Sequence, residues 1–319
     1  MLLTRGNGAF LALALSLLLY LGPYPALAQD PLLKDSQSFR FSLIQIPVWV
    51  TNKKGSVNHK LKKSDFRLFI DDRPVPIEEC FAAFDRPMEI VYLLDLSGSM
   101  DLGGKLEGSV DTISYLLERH RPDDRWRLVV FSDQQVLEIL DETRYEEWPT
   151  LKSKLRAYGK TALFDALSTS DRLFSSQSLS NRAILLFTDG NDNQSSFTEE
   201  QVFMLLRIID VPVFIIGIAD GFVPQLQESR EKLGLQTLAE ITRITGGEFF
   251  LLKQASELPQ LAADLERKLR PQYLLTITVE RGERDMRHEI GVKLKRHRLL
   301  AVRYRGGYVG SLPESIGGK

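Results

Sequence analysis

The chain has 319 residues, 43% hydrophobic and 26% charged, with a formal net charge of -1. That balance is ordinary for a folded protein of one large or two modest domains, and it gives no global reason to expect nucleic acid or an anionic membrane surface as partner. The single cysteine, Cys80, rules out an internal disulfide, and its apolar setting (Glu79-Cys80-Phe81-Ala82-Ala83) reads as a small buried hydrophobe.

Taken in order, the chain starts with Arg5, an apolar run from Ala9 to Leu21, and then Ala26-Leu27-Ala28. A charged start, an apolar centre and an A-x-A site predict a secretory signal peptide over residues 1–28. The alternative is an uncleaved anchor, for which the run is short. The expected location is therefore the periplasm or the exterior, with no membrane span once the signal is cut. A polar lead-in follows. Phe41 to Thr51 predicts a strand with Ile44, Ile46, Val48 and Val50 on one face, and Pro47 argues for an edge position. Lys53-Lys54-Gly55 is a turn, residues 65–70 alternate as a strand, and Asp71-Asp72-Arg73-Pro74 closes the next turn. The lysines Lys53, Lys54, Lys60, Lys62 and Lys63 read as a solvated loop.

From Met88 the pattern becomes strand and helix in alternation. Ile90 to Leu94 is an apolar run of the kind covered by helices on both faces. Leu106, Val110, Ile113, Leu116 and Leu117 recur at helical spacing. Arg127 to Ser132 is a buried strand with a companion near Gln135–Leu140. Glu146 to Tyr158 is weakly helical, and a helix runs through Leu163, Leu167 and Leu173. Ala183 to Phe187 is the next buried strand, followed by a helix with a Ser/Thr-x-x-Glu/Gln start through Val202, Leu205 and Ile208. Val211 to Ile218 is another strand. Thr237 to Ile244 predicts a helix capped by Thr237-x-x-Glu240 and stopped by Gly246-Gly247. Glu248 to Leu252 is a short strand, and Leu258, Leu261, Leu265 and Leu269 mark a last amphipathic helix. This alternation implies right-handed crossovers and an α/β, doubly wound, mainly parallel sheet.

The tail changes class. Gln272 to Glu280, Glu289 to Lys295 and Leu299 to Arg305 have period two and predict half-solvated antiparallel strands. Their arginines (Arg296, Arg298, Arg303, Arg305) read as the wet face of a sheet. The two flanks, 38–86 and 271–310, are expected to pair into a small antiparallel β-subdomain, with the α/β domain, 87–270, inserted between them.

Oxygen donors gather at three places where this sheet would end. Asp95, Ser97 and Ser99 follow the first α/β strand, Thr161 lies in the Gly159-Lys160-Thr161 loop, and Asp189 follows the strand ending at Phe187. Ligands of open parallel sheets bind beyond the strand carboxyl ends, and such oxygens suit a hard cation such as Mg²⁺. Asp95–Ser99 reads equally well as a helix N-cap with no metal. Asp101, Asp165 and Asp192 read as helix-start or rim carboxylates.

Asp95-x-Ser97-x-Ser99, the Gly-x-Thr-x-x-x-x-Ala loop from Gly159 to Ala166, and Thr188-Asp189-Gly190 together resemble the metal-ion-dependent adhesion site of von Willebrand factor type A (VWA) domains. The likeness covers roughly Pro87 to Leu252. With its β flanks and the ending Arg305-Gly306-Gly307-Tyr308, the chain also resembles the exported bacterial family described as VWFA-related and named from Acidobacteria. The resemblance implies that Ser97 and Ser99 ligate Mg²⁺, or Mn²⁺ or Ca²⁺, through their hydroxyls, and that Thr161 does so directly or through water. Asp95 and Asp189 would hold coordinated waters, and a partner's Asp or Glu would complete the shell. Lys160 departs from the glycine frequent in relatives at that place.

The function expected is therefore a non-enzymatic, exported adhesion module that binds an acidic group of a protein partner through a divalent cation. An envelope scaffold with an unused metal site is the alternative. A hydrolase is disfavoured, since Leu96-Ser97-Gly98-Ser99 lacks the G-x-S-x-G elbow and the four histidines lie in the flanks or a helix length from the strand tips. No G-x-G-x-x-G supports dinucleotide binding.

Overall fold

The computed structural model describes residues 41–52, 60–174, 181–190, 192–208, 211–218, 228–271, 273–280, 286–296 and 299–310. The expected signal peptide (residues 1–28), the lead-in, Lys53, Lys54, His59, His297 and Arg298 lie outside the described residues. Four strands come first: β1 (Phe41–Asn52), β2 (Phe66–Ile70), β3 (Arg73–Val75) and β4 (Glu79–Ala82). The α/β part follows with β5 (Met88–Asp95), α1 (Lys105–Leu117), β6 (Arg125–Ser132), β7 (Gln135–Asp141), α2 (Trp148–Lys152) and α3 (Leu163–Ser168). It continues with β8 (Asn181–Thr188), α4 (Glu199–Ile208), β9 (Val213–Ile218), α5 (Glu228–Thr245), β10 (Phe249–Leu252) and α6 (Leu258–Leu269). The tail holds β11 (Tyr273–Glu280), β12 (Met286–Leu294), β13 (Leu300–Tyr304) and β14 (Gly307–Gly310).

The central sheet has the order β10-β9-β8-β5-β6-β7. Every pairing in it is parallel except the hairpin β6–β7. All eight residues of β5 are buried because helices cover both faces. Its side chains alternate between two cores, as a period of two requires. Ile90, Tyr92 and Leu94 meet Ile113 and Leu117 of α1 and Leu265 of α6. Val91 and Leu93 meet Leu167 of α3, Val202 of α4 and Ile241 of α5. Each fully buried aliphatic side chain contributes about 1.5–3 kcal/mol.

The flanks interleave into a β-sandwich. One sheet has the order β13-β1-β11-β4 and the other β14-β12-β2-β3, so each draws strands from both ends of the chain. Ile46, Val48, Leu275 and Ile277 face Leu68, Ile70, Ile290 and Val292 across the interior. Several local expectations need correction here. β1 lies between β11 and β13, so it is not an edge strand. Pro47 is tolerated because β13 pairs only from Val48 onward, which leaves one side of Pro47 open. Arg73–Val75 is a strand of a hairpin whose tight turn holds Asp71 and Asp72 at φ 49° and 61°. β11 is buried on both faces instead of half solvated, and Cys80 on the edge strand β4 is only partly buried.

The tail arginines are also not uniformly wet. Arg303 lies over the rings of Trp49 and Phe214, at 4.2 and 4.9 Å from their centroids, and donates to the carbonyl of Gly246 at 2.7 Å. Arg305 is buried as well. Both sit where the sandwich meets the α/β part, a surface no single-strand pattern can reveal. Helix boundaries shift too. α5 begins at Glu228, which puts Thr237 mid-helix, donating to Glu199 at 2.8 Å, and Glu240 pairs with Arg243 instead of capping. α4 buries Val202 and Leu206 while Ile208 is exposed. Its predicted capping box is present: Thr198 N donates to Gln201 Oε1 and Gln201 N to Thr198 Oγ1.

Candidate functional site

The chain passes from the apolar register of β5 into polar donors within three residues, and the geometry there is tightly held. Asp95 has no solvent exposure. Its Oδ1 accepts from Ser97 N at 2.8 Å and its Oδ2 from Thr188 Oγ1 at 2.7 Å, so the ends of β5 and β8 are tied through one carboxylate. Thr188 Oγ1 in turn accepts from Gly190 N at 3.1 Å, which fixes the start of the Asp189 loop. Ser97 Oγ and Ser99 Oγ stand 3.2 Å apart. Ser97 is buried and Ser99 exposed, so the pair runs from the interior to the lip of the sheet. Burial pushes the Asp95 carboxyl up to about 6, against the pull of hydrogen bonds from Ser97 and Thr188, and the nearby Asp189 charge adds to the rise.

The loop holding Thr161 is docked on this turn by backbone bonds. Tyr158 N donates to Leu96 O at 2.6 Å and Gly98 N to Gly159 O at 3.0 Å. Gly159 has φ 70°, and a Cβ there would overlap the Asp133 carboxylate, so glycine is required twice over. Asp133 and Lys160 exchange two bonds of 2.7 Å, one from Lys160 N to Asp133 Oδ1 and one from Asp133 N to Lys160 O. The Lys160 side chain is exposed. Thr161 is buried, and its N–H donates to Asn193 Oδ1 at 3.0 Å while its carbonyl accepts from Asn193 N and Gln194 N. The three segments named from the sequence therefore interlock at the carboxyl edge of the sheet.

Asp189 has a partner that sequence reasoning missed. Lys105, the first residue of α1, is buried and its Nζ lies 2.8 Å from Asp189 Oδ2. The signal was available: a cation at a helix N-terminus opposes the macrodipole and needs compensation. Asp165 and Asp192 have structural duties. Asp165 accepts from Ser196 N and Phe197 N, and Asp192 from Phe164 N and Ser195 N, which pins the loop after β8 to α3. Asp101 is exposed.

Among the described residues, no group of three or more His, Cys, Asp or Glu side chains is gathered as a metal cage. The donors here are hydroxyls with two carboxylates. The described histidines are engaged elsewhere: His120 Nε2 with Tyr92 OH at 2.7 Å, and His288 Nδ1 with Asp71 Oδ2 at 2.7 Å. An open groove of about 1000 Å³ on the sandwich is lined from residues 62–69 and 74–77 and by Lys295, and none of its lining residues belongs to the donor cluster.

The family model described as von Willebrand factor type A domain matches residues 89–264, more than half of the chain. No curated protein matches. Among solved structures, the chain is similar to proximal thread matrix protein 1 of the mussel byssus, in a structure with a zinc-occupied MIDAS motif, at 18% identity and TM-score 0.48. That match covers 61% of this chain and 50% of the mussel chain, so this chain spans about half of that protein's length. It is also similar to a von Willebrand factor type A protein from Catenulispora acidiphila, at 13% identity and TM-score 0.48, covering 86% of this chain and 74% of that one. A third, BatB from Bacteroides thetaiotaomicron, has 19% identity and TM-score 0.44 over 57% of this chain and 98% of its own. On the match that spans β5 to α6, with three polar segments interlocked at the carboxyl edge of the sheet, the chain belongs to the von Willebrand factor type A domain family.

Proposed function

We propose that this protein is an exported, non-enzymatic adhesion module that captures an acidic group of a protein partner through a divalent cation. Domains of this family generally mediate protein interactions through such a site. In this chain Asp95, Ser97, Ser99, Thr161 and Asp189 would hold the ion, Mg²⁺ first and Mn²⁺ or Ca²⁺ next. A bound cation would supply positive charge and an open coordination position for a carboxylate. The observation that carries the reading is the Asp95–Ser97–Ser99 turn: a fully buried carboxylate beside two hydroxyl oxygens 3.2 Å apart. A buried charge needs pairing, and among the described residues Asp95 accepts hydrogen bonds only from neutral donors, Ser97 N and Thr188 Oγ1. The donor chemistry fits a hard cation, since every oxygen is a hydroxyl or a carboxylate.

Export rests on the residues 1–28 pattern, and kinship with the exported VWFA-related bacterial family on the β flanks. An envelope scaffold with an unused site is the second reading. The Lys105–Asp189 pair favours it, because Asp189 already has a cation without metal. A pull-down from envelope extract separates the two, using wild type in Mg²⁺, wild type in chelator, and the double variant Ser97→Ala, Ser99→Ala. The adhesion reading expects partners recovered only in the first. Identical recovery in all three would establish the scaffold reading instead.

A further inference from the structure

We infer that Lys105 is a built-in counter-cation for Asp189 that holds down the affinity of the site for divalent cations. The inference rests on the reading that the site takes such an ion. Lys105 is 2% exposed and opens α1, where the macrodipole disfavours positive charge. A buried ammonium in that place must be paired, and Asp189 Oδ2 at 2.8 Å does this. Asp189 is in turn nearly buried, with 9% of its side chain exposed. The pair joins residues 84 apart in the chain, so it also fixes the Asp189 loop against the first helix.

The charge count shows the consequence. Of the five proposed site residues, Asp95 and Asp189 bring two negative charges, and the hydroxyls of Ser97, Ser99 and Thr161 bring none. Lys105 cancels one of the two. A divalent cation entering beside Asp189 would meet a fixed ammonium that repels it and occupies a carboxylate oxygen that would otherwise hold one of the ion's waters. Lys105 is thus a positioning and affinity-setting residue. It orders the site before any metal arrives and leaves the ion weakly neutralised, hence receptive to a partner's carboxylate.

The test is calorimetric titration of Mn²⁺ into wild type, Lys105→Gln and Lys105→Met, with Asp95→Ala as the site control. Lys105→Gln removes the charge and keeps an N–H donor for Asp189 on a side chain one bond shorter, which guards against a folding defect in Lys105→Met. The expected result is tighter binding in Lys105→Gln, by about tenfold or more. The metal-free variant should also melt at a lower temperature than wild type, with a larger rise on adding Mn²⁺. Binding in Lys105→Gln but not in wild type supports the inference in its strongest form. Equal or weaker binding in a folded Lys105→Gln, with wild type and Asp95→Ala behaving as the site reading expects, overturns the role of Lys105 alone. Absence of binding in both wild type and Lys105→Gln overturns the site reading and the inference together.

Discussion

Each end of β5 meets a buried aspartate, Asp124 from the turn before β6 and Asp95 of β5 itself, and the two are handled in opposite ways. At the amino end, Asp124 accepts from Met88 N at 2.9 Å, from Arg121 N at 3.0 Å and from the Arg270 guanidinium. Arg270 also donates to the Arg86 carbonyl at 3.3 Å, so one carboxylate clamps both passages between the sandwich and the α/β part. Although burial pushes the Asp124 carboxyl up, the bonds from His120 and Arg270 and the Arg270 charge win and hold it well below the usual range. At the carboxyl end, Asp95 has neutral donors and a second carboxylate nearby, and burial wins. The lesson is that the amino edge is a finished electrostatic joint, whereas the carboxyl edge is left short of positive charge.

The largest effect is expected at the joint. Asp124→Ala takes away the carboxylate that the buried Arg270 guanidinium and Met88 N both bind, and should cost about 3–5 kcal/mol in urea unfolding. A loss below 1 kcal/mol would show that the joint is not what holds this edge.

The pH dependence sharpens the contrast, because the two aspartates have opposite signs. For Asp95 the folded pKa, about 6, lies above the unfolded value. The folded state therefore binds more protons between about pH 4 and 6, and metal-free stability should fall as pH rises through that window, by roughly 2–3 kcal/mol. Asp95→Asn should flatten the slope. For Asp124 the folded value is lowered, so its contribution is present above about pH 4 and is lost as pH falls further. Chemical denaturation of metal-free protein across this range reads both. A rise in stability from pH 4 to 6 that Asp95→Asn leaves unchanged would contradict the assignment.

Two smaller effects probe the backbone at each edge. At the amino edge, Gly246 has φ 79°, and a Cβ there would overlap the backbone of Arg305. Gly246→Ala should cost about 1–3 kcal/mol in thermal or urea melts. At the carboxyl edge, Thr198→Ala removes one arm of the α4 capping box and should cost about 1 kcal/mol in the same assay.

The parts legible in the sequence were those with strong local patterns. The apolar runs of β5, β8 and β9 had only one way to be buried, between two helical layers. Asp95, Ser97, Ser99, Thr161 and Asp189 stood out because hydroxyls and carboxylates closely follow such runs or open a glycine loop. The first turns of α5 were missed because residues 228–236 are too polar to show a periodic face. β3, β4 and β14 are three or four residues long, too short for alternation to register. Arg303 and Arg305 alternate like solvent-facing residues and are covered only because the sandwich meets the α/β part there. Lys105 escaped notice because its partner is far along the chain, although its place at a helix start was an anomaly visible beforehand.

The central claim is that the carboxyl edge is completed by a divalent cation. Its most direct test is the melting temperature of the protein in excess Mg²⁺ and in chelator, for wild type and Asp95→Ala. The account predicts a rise with Mg²⁺ in wild type, worth about 2.7 kcal/mol at a hundredfold excess over Kd, and none in Asp95→Ala. Superimposable wild-type curves with metal and with chelator would contradict it.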